Sequence, residues 1–243
     1  MQPEWFESWF DSPYYKLLYR HRDEHEADAF VRKLLGEIHL EKGAKILDLP
    51  CGNGRHARVM SEMDYKVTGA DLSKRNISEA QINKSTHLNF IEHDMRNLLS
   101  INEFDAVMNL FTSFGYFKTE EENVSVMKSI ADSLKPNGIL VIDFFNCNCV
   151  EENLKCADNI LVEDVQFIIE RKIENEKVLK QIHITHGEKQ FDFEESVQLL
   201  ELKDFEKFYS PFGLVTEKVF GDYQLNPFTQ YSERLIIIAR KQK

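Results

Sequence analysis

Residues 46 to 55 read Ile46-Leu47-Asp48-Leu49-Pro50-Cys51-Gly52-Asn53-Gly54-Arg55. A short apolar run ends at Asp48, a turn with two glycines follows, and a helical pattern begins near Arg55. The reading is strand, turn, helix. Gly52 and Gly54 stand where the backbone must bend sharply and let a ligand come close. Further on, Val67-Thr68-Gly69-Ala70-Asp71 reads as a second strand ending in an acid. A carboxylate there accepts hydrogen bonds from a ribose diol. Together the two stretches predict an α/β fold, a doubly wound sheet that holds a nucleoside-containing cofactor.

The same alternation extends outward. Ser12-Pro13 reads as a helix start, with Ser12 as N-cap. A second helix begins near Asp23, with Glu26 placed as in a capping box and Ala27, Phe30, Val31, Leu34, Leu35 and Ile38 on one face. A third strand closes on His93-Asp94, and Phe104 to Asn109 forms a fourth. Lys135-Pro136-Asn137-Gly138 stops a helix over about 120–134, and Ile139 to Phe145 has the continuous apolar character of a doubly buried parallel strand. The rhythm then changes. Stretches 160–172, 177–186 and 190–201 read as three long antiparallel strands. A helix over about 202–210 and strands over about 214–222 and 233–240 complete the chain. The expected division is an N-terminal helical cap at 1–43, a cofactor-binding core at 44–150, an antiparallel β insert at 151–202 and a C-terminal completion of the sheet at 203–243.

Composition narrows the function. The 243 residues are 42% hydrophobic, and no apolar run approaches the roughly 20 residues a membrane span needs. The N-terminus, Met-Gln-Pro-Glu-Trp-Phe-Glu, has no basic n-region, so the expectation is a cytoplasmic protein, monomer or homodimer, with no membrane partner. A net charge of −11 opposes a phosphate backbone and argues against a nucleic-acid partner. None of the four cysteines forms a C-x-x-C pair, and Cys147 and Cys149 would face opposite ways on an extended segment, so neither a disulfide framework nor a metal site is expected. Cys51 in the glycine turn is expected to be a small packing residue.

Gly52-x-Gly54-x-x-Ala57, with Asp71 beyond it, satisfies a dinucleotide fingerprint and fits NAD as well as S-adenosylmethionine. Three features favour the methyl donor. Asp48 would repel a pyrophosphate at the helix N-terminus but suits an ammonium and a sulfonium. Asp94 can take an adenine amino group, with the Met95 amide on a ring nitrogen. The chain also ends in a helix and two strands after the fifth strand.

On Asp48-Leu-Pro-Cys-Gly-Asn-Gly54, Asp71-Leu72-Ser73, His93-Asp94-Met95-Arg96, Asn109-Leu110-Phe111 and Leu134-Lys-Pro-Asn-Gly138, the chain resembles the class I S-adenosylmethionine-dependent methyltransferases. It looks most like the small-molecule members with an antiparallel insert after the fifth strand, over about residues 10 to 243. The resemblance implies a Rossmann-like seven-stranded sheet whose last strand is antiparallel, with an inserted antiparallel β meander. It implies that Gly52 and Gly54 cradle the methionine moiety, that Asp71 holds the ribose hydroxyls and that Leu72 packs on adenine. Asp94 and Met95 would read the adenine edge. Asn109 and Phe111 would lie near the sulfonium, and Tyr14 or Arg22 would close over the cofactor carboxylate. Pro50 replaces the family's first loop glycine, which stiffens the turn and removes one N–H donor.

Methyl transfer is an in-line displacement in which alignment supplies much of the acceleration, and a general base is needed only if the nucleophile arrives protonated. No base stands out in the sequence, so the catalytic residues are unknown. Tyr116, Asn146 and Tyr223 follow strands four, five and six and are the candidates for facing the acceptor, against ordinary packing or capping. His183 and His186 read as a solvated strand face. The expected acceptor is a small molecule. Other readings stay open: a tRNA or protein methyltransferase, a non-catalytic cofactor-binding relic, an NAD-dependent reductase, and a zinc peptidase through His21-Arg22-Asp23-Glu24-His25, which matches H-x-x-E-H.

Overall fold

The computed structural model describes residues 4–20 and 24–243. Two short helices open it. α1 (Trp5–Phe10) has a capping box between Glu4 and Glu7, and in α2 (Pro13–Leu18) the Ser12 hydroxyl accepts the Tyr14 N–H, as its Ser-Pro start predicts. α1 has no counterpart in the sequence reading. α3 (Glu24–Ile38) follows, with its apolar face buried. The proposed Asp23 cap lies outside the described residues, as do Arg22 and residues 21–23 of the H-x-x-E-H stretch.

The core alternates strand and helix: β1 (Lys45–Asp48), α4 (Arg55–Glu62), β2 (Lys66–Asp71), α5 (Lys74–Ala80), β3 (Leu88–Glu92), β4 (Phe104–Asn109), α6 (Glu120–Ser133) and β5 (Leu134–Phe145). After an excursion, α8 (Leu202–Tyr209), β10 (Leu214–Phe220) and β11 (Arg234–Lys241) complete the sheet. Its order is β10-β11-β5-β4-β1-β2-β3. β1 to β5 are parallel, and β11 runs antiparallel to both β5 and β10. This is the Rossmann-like sheet with a reversed last strand that the family resemblance implies. The strand order switches direction at β1, flanked by β4 and β2. A crevice therefore opens beyond the carboxyl ends of these strands, where ligands bind in such sheets.

The excursion differs from the prediction in two ways. α7 (Cys147–Asn153) is a helix, so Cys147 and Cys149 do not lie on an extended segment. Asn146 caps it, accepting the Asn148 N–H at 3.3 Å. The stretch read as one strand over 160–172 is a hairpin, β6 (Ala157–Val162) and β7 (Val165–Glu174). Its turn is Glu163-Asp164, with Glu163 in the left-handed region at φ 57°. It lacks the Gly, Asn or Pro that marks such turns. β8 (Lys177–His186) and β9 (Lys189–Gln198) complete a four-stranded antiparallel sheet, β6-β7-β8-β9.

Phe167, Ile169, Ile182 and Ile184 on the inner face of this insert bury against Trp9 and Leu18 of α1 and α2. A polar cluster joins the same bodies. Glu195 accepts the Trp9 indole N–H at 2.7 Å and the Tyr19 hydroxyl at 2.8 Å, and it pairs with the buried Lys180 at 3.4 Å. Lys180 also donates to the Tyr19 hydroxyl. The N-terminal helices and the insert are thus joined to each other as well as to the core.

Within the core, one ring fixes the glycine turn to the sheet. Phe90 of β3 is 1% exposed and occupies the space left by two absent side chains. A Cβ on Gly54 would lie 2.5 Å from its Cζ, and one on Gly69 would lie 2.6 Å from its Cδ1. Gly54 also stands at φ 81° as the N-cap of α4. Gly69→Ala therefore overpacks a buried site without any backbone strain of its own. Denaturant unfolding is expected to show a loss of about 1–3 kcal/mol, and an unchanged midpoint would contradict this packing.

Candidate functional site

A cavity of about 890 Å³ opens at the switch point. Its floor is the β1 turn from Leu49 to Asn53, its sides are Asp71 to Lys74, His93 to Met95 and the loop after β4, and its roof is Phe6, Phe10, Tyr15 and Tyr19 of the N-terminal helices. Of the residues singled out by sequence, it gathers Gly52, Asp71, Leu72, Asp94, Met95, Phe111 and Tyr116.

Gly52 adopts φ 55°, and a Cβ built on it would meet nothing within 4 Å. The space above its Cα belongs to the cavity, so the floor is bare backbone. Asp71, at the end of β2, shapes that floor. Its carboxylate accepts the Gly52 N–H at 2.8 Å and the Ser73 N–H at 2.9 Å. A carboxylate offers about four lone-pair positions, so acceptor capacity is left for a ligand. Burial pushes its pKa up, while these N–H groups and the Asn76 side chain work in the opposite direction.

Asp48 lies at the base of the same turn, wholly buried, outside the cavity wall. Among the described residues, neither of its oxygens has a hydrogen-bond partner of good geometry. The Ala57 amide is the nearest relief and offsets the cost only partly. Burial, and then the charge of Asp71, pushes its pKa up to about 8. Cys51 beside it is 6% exposed. Burial and both carboxyl groups raise its thiol well above its ordinary range, so it is a neutral packing group.

At the β3 side, Asp94 is grasped by Arg96, which donates from its backbone at 2.9 Å and its guanidinium at 2.7 Å. Partial burial opposes ionisation, but Arg96 outweighs it and holds the Asp94 carboxyl below its usual range. Arg96 is itself anchored on Glu122 at 2.7 Å and lies over the Phe117 ring.

At the β4 side the backbone takes an uncommon course. Phe111 and Thr112 are successive non-glycine residues in the left-handed region, at φ 67° and 56°. Such conformations cost about 1–3 kcal/mol each and persist only where the surroundings impose them. The Phe111 ring lines the cavity, with the Arg55 guanidinium 4.9 Å from its centre and the His56 ring 6.5 Å away. Burial and then Arg55 push the His56 imidazole down to about 3, so it is neutral at physiological pH. Arg55 and His56 open α4 and went unread in the sequence beyond marking a helix start. The cavity-lining Phe6, Phe10, Tyr15 and Tyr19 were also missed. Their one signal is the aromatic density of residues 5–19.

The other expected residues lie elsewhere. Gly54 is packed against Phe90, outside the cavity wall. Asn109 is fully buried beneath it, and its amide donates to the Leu49 carbonyl at 2.8 Å and the Ser113 carbonyl at 3.2 Å, tying the β1 turn to the β4 loop. Tyr14 turns to the insert, where its hydroxyl meets His186 Nδ1 at 3.1 Å and its ring packs on Phe191. Asn146 donates to the Gln230 and Ser232 carbonyls at 2.9 and 2.7 Å. The Tyr223 hydroxyl donates to Asp143 at 3.2 Å. Arg22 lies outside the described residues.

The chemistry of this site suits S-adenosylmethionine. A bare floor beside a carboxylate with spare acceptor capacity matches a ribose diol. An unpartnered buried carboxyl beneath the turn matches a ligand carrying ammonium and sulfonium charges, and it would oppose a pyrophosphate. Among the described residues, no helix is long and apolar enough to cross a membrane.

Comparison with known proteins agrees. Residues 46–138 match the family described as Methyltransferase domain. YqeM of Bacillus subtilis (strain 168), which bears a methyltransferase name, is 30% identical over 220 residues, covering 85% of this chain and 88% of that protein. A dTDP-3-amino-3,4,6-trideoxy-alpha-D-glucopyranose N,N-dimethyltransferase of Streptomyces venezuelae is 29% identical over 102 residues, or 42% of this chain and 43% of that enzyme. The solved structure of an S-adenosylmethionine-dependent methyltransferase from Clostridium acetobutylicum ATCC 824 superposes with a TM-score of 0.80 at 21% identity, covering 95% and 96% of the two chains. Sequence, fold and site converge: the chain belongs to the class I S-adenosylmethionine-dependent methyltransferases.

Proposed function

We propose that this methyltransferase acts on a small molecule held between the cofactor floor and the roof formed by α1 and α2, by in-line displacement with alignment as its main contribution. The observation that carries this reading is the cavity of about 890 Å³, which the N-terminal helices cover in part. Its roof of Phe6, Phe10, Tyr15 and Tyr19 sits over the cofactor loop and is fastened to the insert by the Glu195 cluster. A site roofed in this way suits a compact acceptor rather than a folded macromolecule. The net charge of −11 opposes RNA. One relative is named for dimethylating the amino group of a dTDP-linked sugar, so amino sugars of that kind are the first acceptors to test.

In this reading, Gly52 and Gly54 shape the bend that receives the methionine moiety, Gly54 from beneath. Asp71 holds the ribose hydroxyls and Leu72 covers the adenine. Asp94 and the Met95 amide read its edge. Phe111 stands beside the sulfonium, and Asn109 supports that wall by bridging two loops. Asp48 supplies negative charge under the methionine end. When bound, the cofactor supplies an electrophilic methyl carbon on a positive sulfur. The chain's residues orient the acceptor. Tyr116 is the acceptor-facing candidate retained because its ring lines the cavity, where Asn146 and Tyr223 do not reach, and its hydroxyl is held by the Thr112 carbonyl, to which it donates. Asn146 and Tyr223 are committed to structural hydrogen bonds. An amine that arrives unprotonated requires no base.

Three outcomes are expected. S-adenosylhomocysteine release, assayed with a panel of small amines including dTDP-linked amino sugars and with tRNA, should rise above background only with small molecules; release dependent on tRNA would refute the reading. Asp71→Ala should weaken S-adenosylhomocysteine binding about tenfold or more in calorimetry, the cost of charge-assisted hydrogen bonds to a diol; unchanged affinity would remove Asp71 from the site. Asp48 sets a pH dependence. Its folded pKa of about 8 stands above its ordinary 3.8. Its contribution to stability is therefore full below pH 3.8 and is lost as pH rises through that window. Asp48→Asn should remove this slope, making the ligand-free protein more stable than the parent at pH 8 by on the order of a few kcal/mol, as read by chemical unfolding. Cationic S-adenosylmethionine favours the ionised carboxyl, so its affinity should rise from pH 6 to 8.5 in the parent and stay flat in the variant.

A further inference from the structure

Neither Asp143 nor Arg234 lines the cavity, yet together they hold a backbone segment at its wall with two successive left-handed non-glycine residues, Phe111 and Thr112. Asp143, on β5, is 1% exposed. Its carboxylate accepts the Phe111 N–H at 2.8 Å, and its main-chain carbonyl accepts the Thr112 N–H at 2.8 Å. Both amides of the turn thus end on one residue. Arg234 donates through Nε to Asp143 at 2.8 Å and through Nη2 to the Thr112 hydroxyl at 3.0 Å. Tyr223 adds its hydroxyl to the same carboxylate at 3.2 Å and lies under the Arg234 guanidinium, 5.4 Å from its ring centre. The reversed strand β11 delivers Arg234 here by pairing it with Phe145, at the carboxyl end of β5.

A turn of this shape forms at least cost with glycine. The chain instead places a phenylalanine and a threonine there and restrains them with three side chains from farther along the sequence, Asp143, Tyr223 and Arg234. What the arrangement gains is a fixed ring at the cavity wall. We propose that the Asp143–Arg234 pair positions the methyl-transfer site: it locks the Phe111–Thr112 turn and so sets the Phe111 ring against the methyl-bearing end of the cofactor. This rests on the reading that the cavity holds the cofactor with Phe111 beside the sulfonium. Asp143 and Arg234 are positioning residues that act through Phe111.

The test is calorimetric titration of the full-length protein with S-adenosylhomocysteine. Asp143→Asn should bind about tenfold or more weakly, the scale of loss when a site wall is misplaced from a distance. Adding Thr112→Gly, which accepts the left-handed conformation without restraint, should return affinity to within about threefold of the parent. A merely structural loss would not be repaired by a glycine in the turn. Where Asp143→Asn does not fold, Arg234→Lys keeps the charge but loses the fork that reaches Thr112, and about fivefold weaker binding is expected. A parent that binds while Asp143→Asn or Arg234→Lys stays within about twofold of it, or an Asp143→Asn defect that Thr112→Gly leaves untouched, overturns the positioning role. A parent that does not bind at all sinks the cofactor reading instead.

Discussion

A carboxyl group sealed in the interior, with no hydrogen-bond partner of good geometry among the described residues, is the constraint around which this molecule is arranged. Asp48 sits at the end of β1, beneath a turn of bare backbone, with Asp71 facing it from β2. Burying this acid, with a second beside it, is unfavourable in the ligand-free protein: burial first and the Asp71 charge second push Asp48 up to about 8. A positive ligand above the turn would offset this cost, as the proposed site requires. The strain of this segment is balanced elsewhere, by Phe90 filling the space that Gly54 and Gly69 leave open and by Asn109 joining the turn to the β4 loop. Such local costs, supported by a packed surround, are typical of binding sites.

The roof obeys a different logic. α1 and α2 are each too short to be stable alone. Their aromatic faces are secured by the insert, through the apolar cluster around Trp9 and the charged cluster around Glu195 and Lys180. A buried ion pair contributes little net stability compared with apolar packing, but it specifies one arrangement. Here that arrangement brings Tyr15 and Tyr19 into the same cavity wall as the β1 turn. The insert thereby shapes, from a distance, the part of the cavity wall that these helices form.

The parts that were legible in the sequence share a local cause. The β1 turn, the acid ending β2, the Ser12-Pro13 helix start and the breaker at 135–138 each follow from chemistry within a few residues. What stayed hidden depends on neighbours far along the chain. Nothing in Tyr14-Tyr15 tells which ring faces the switch-point cavity, because that is decided by His186 and Phe191 of the insert taking Tyr14. The Glu163-Asp164 turn puts a glutamate, not a glycine or asparagine, at its left-handed position, and the β6–β7 pairing closes it. Asn146 and Tyr223 follow strands of the right sheet, yet their polar groups are committed to closing loops. The left-handed pair Phe111–Thr112 leaves no local signal, since Asp143 and Arg234 hold it from 32 and 122 residues away.

The most direct measurement is a crystal structure of the protein grown with S-adenosylhomocysteine. The account predicts the ligand in the switch-point cavity, its ribose hydroxyls on Asp71, its adenine between Leu72 and the Asp94–Met95 edge, and its sulfur beside Phe111. Ligand density elsewhere, or a ribose turned away from Asp71, would contradict it.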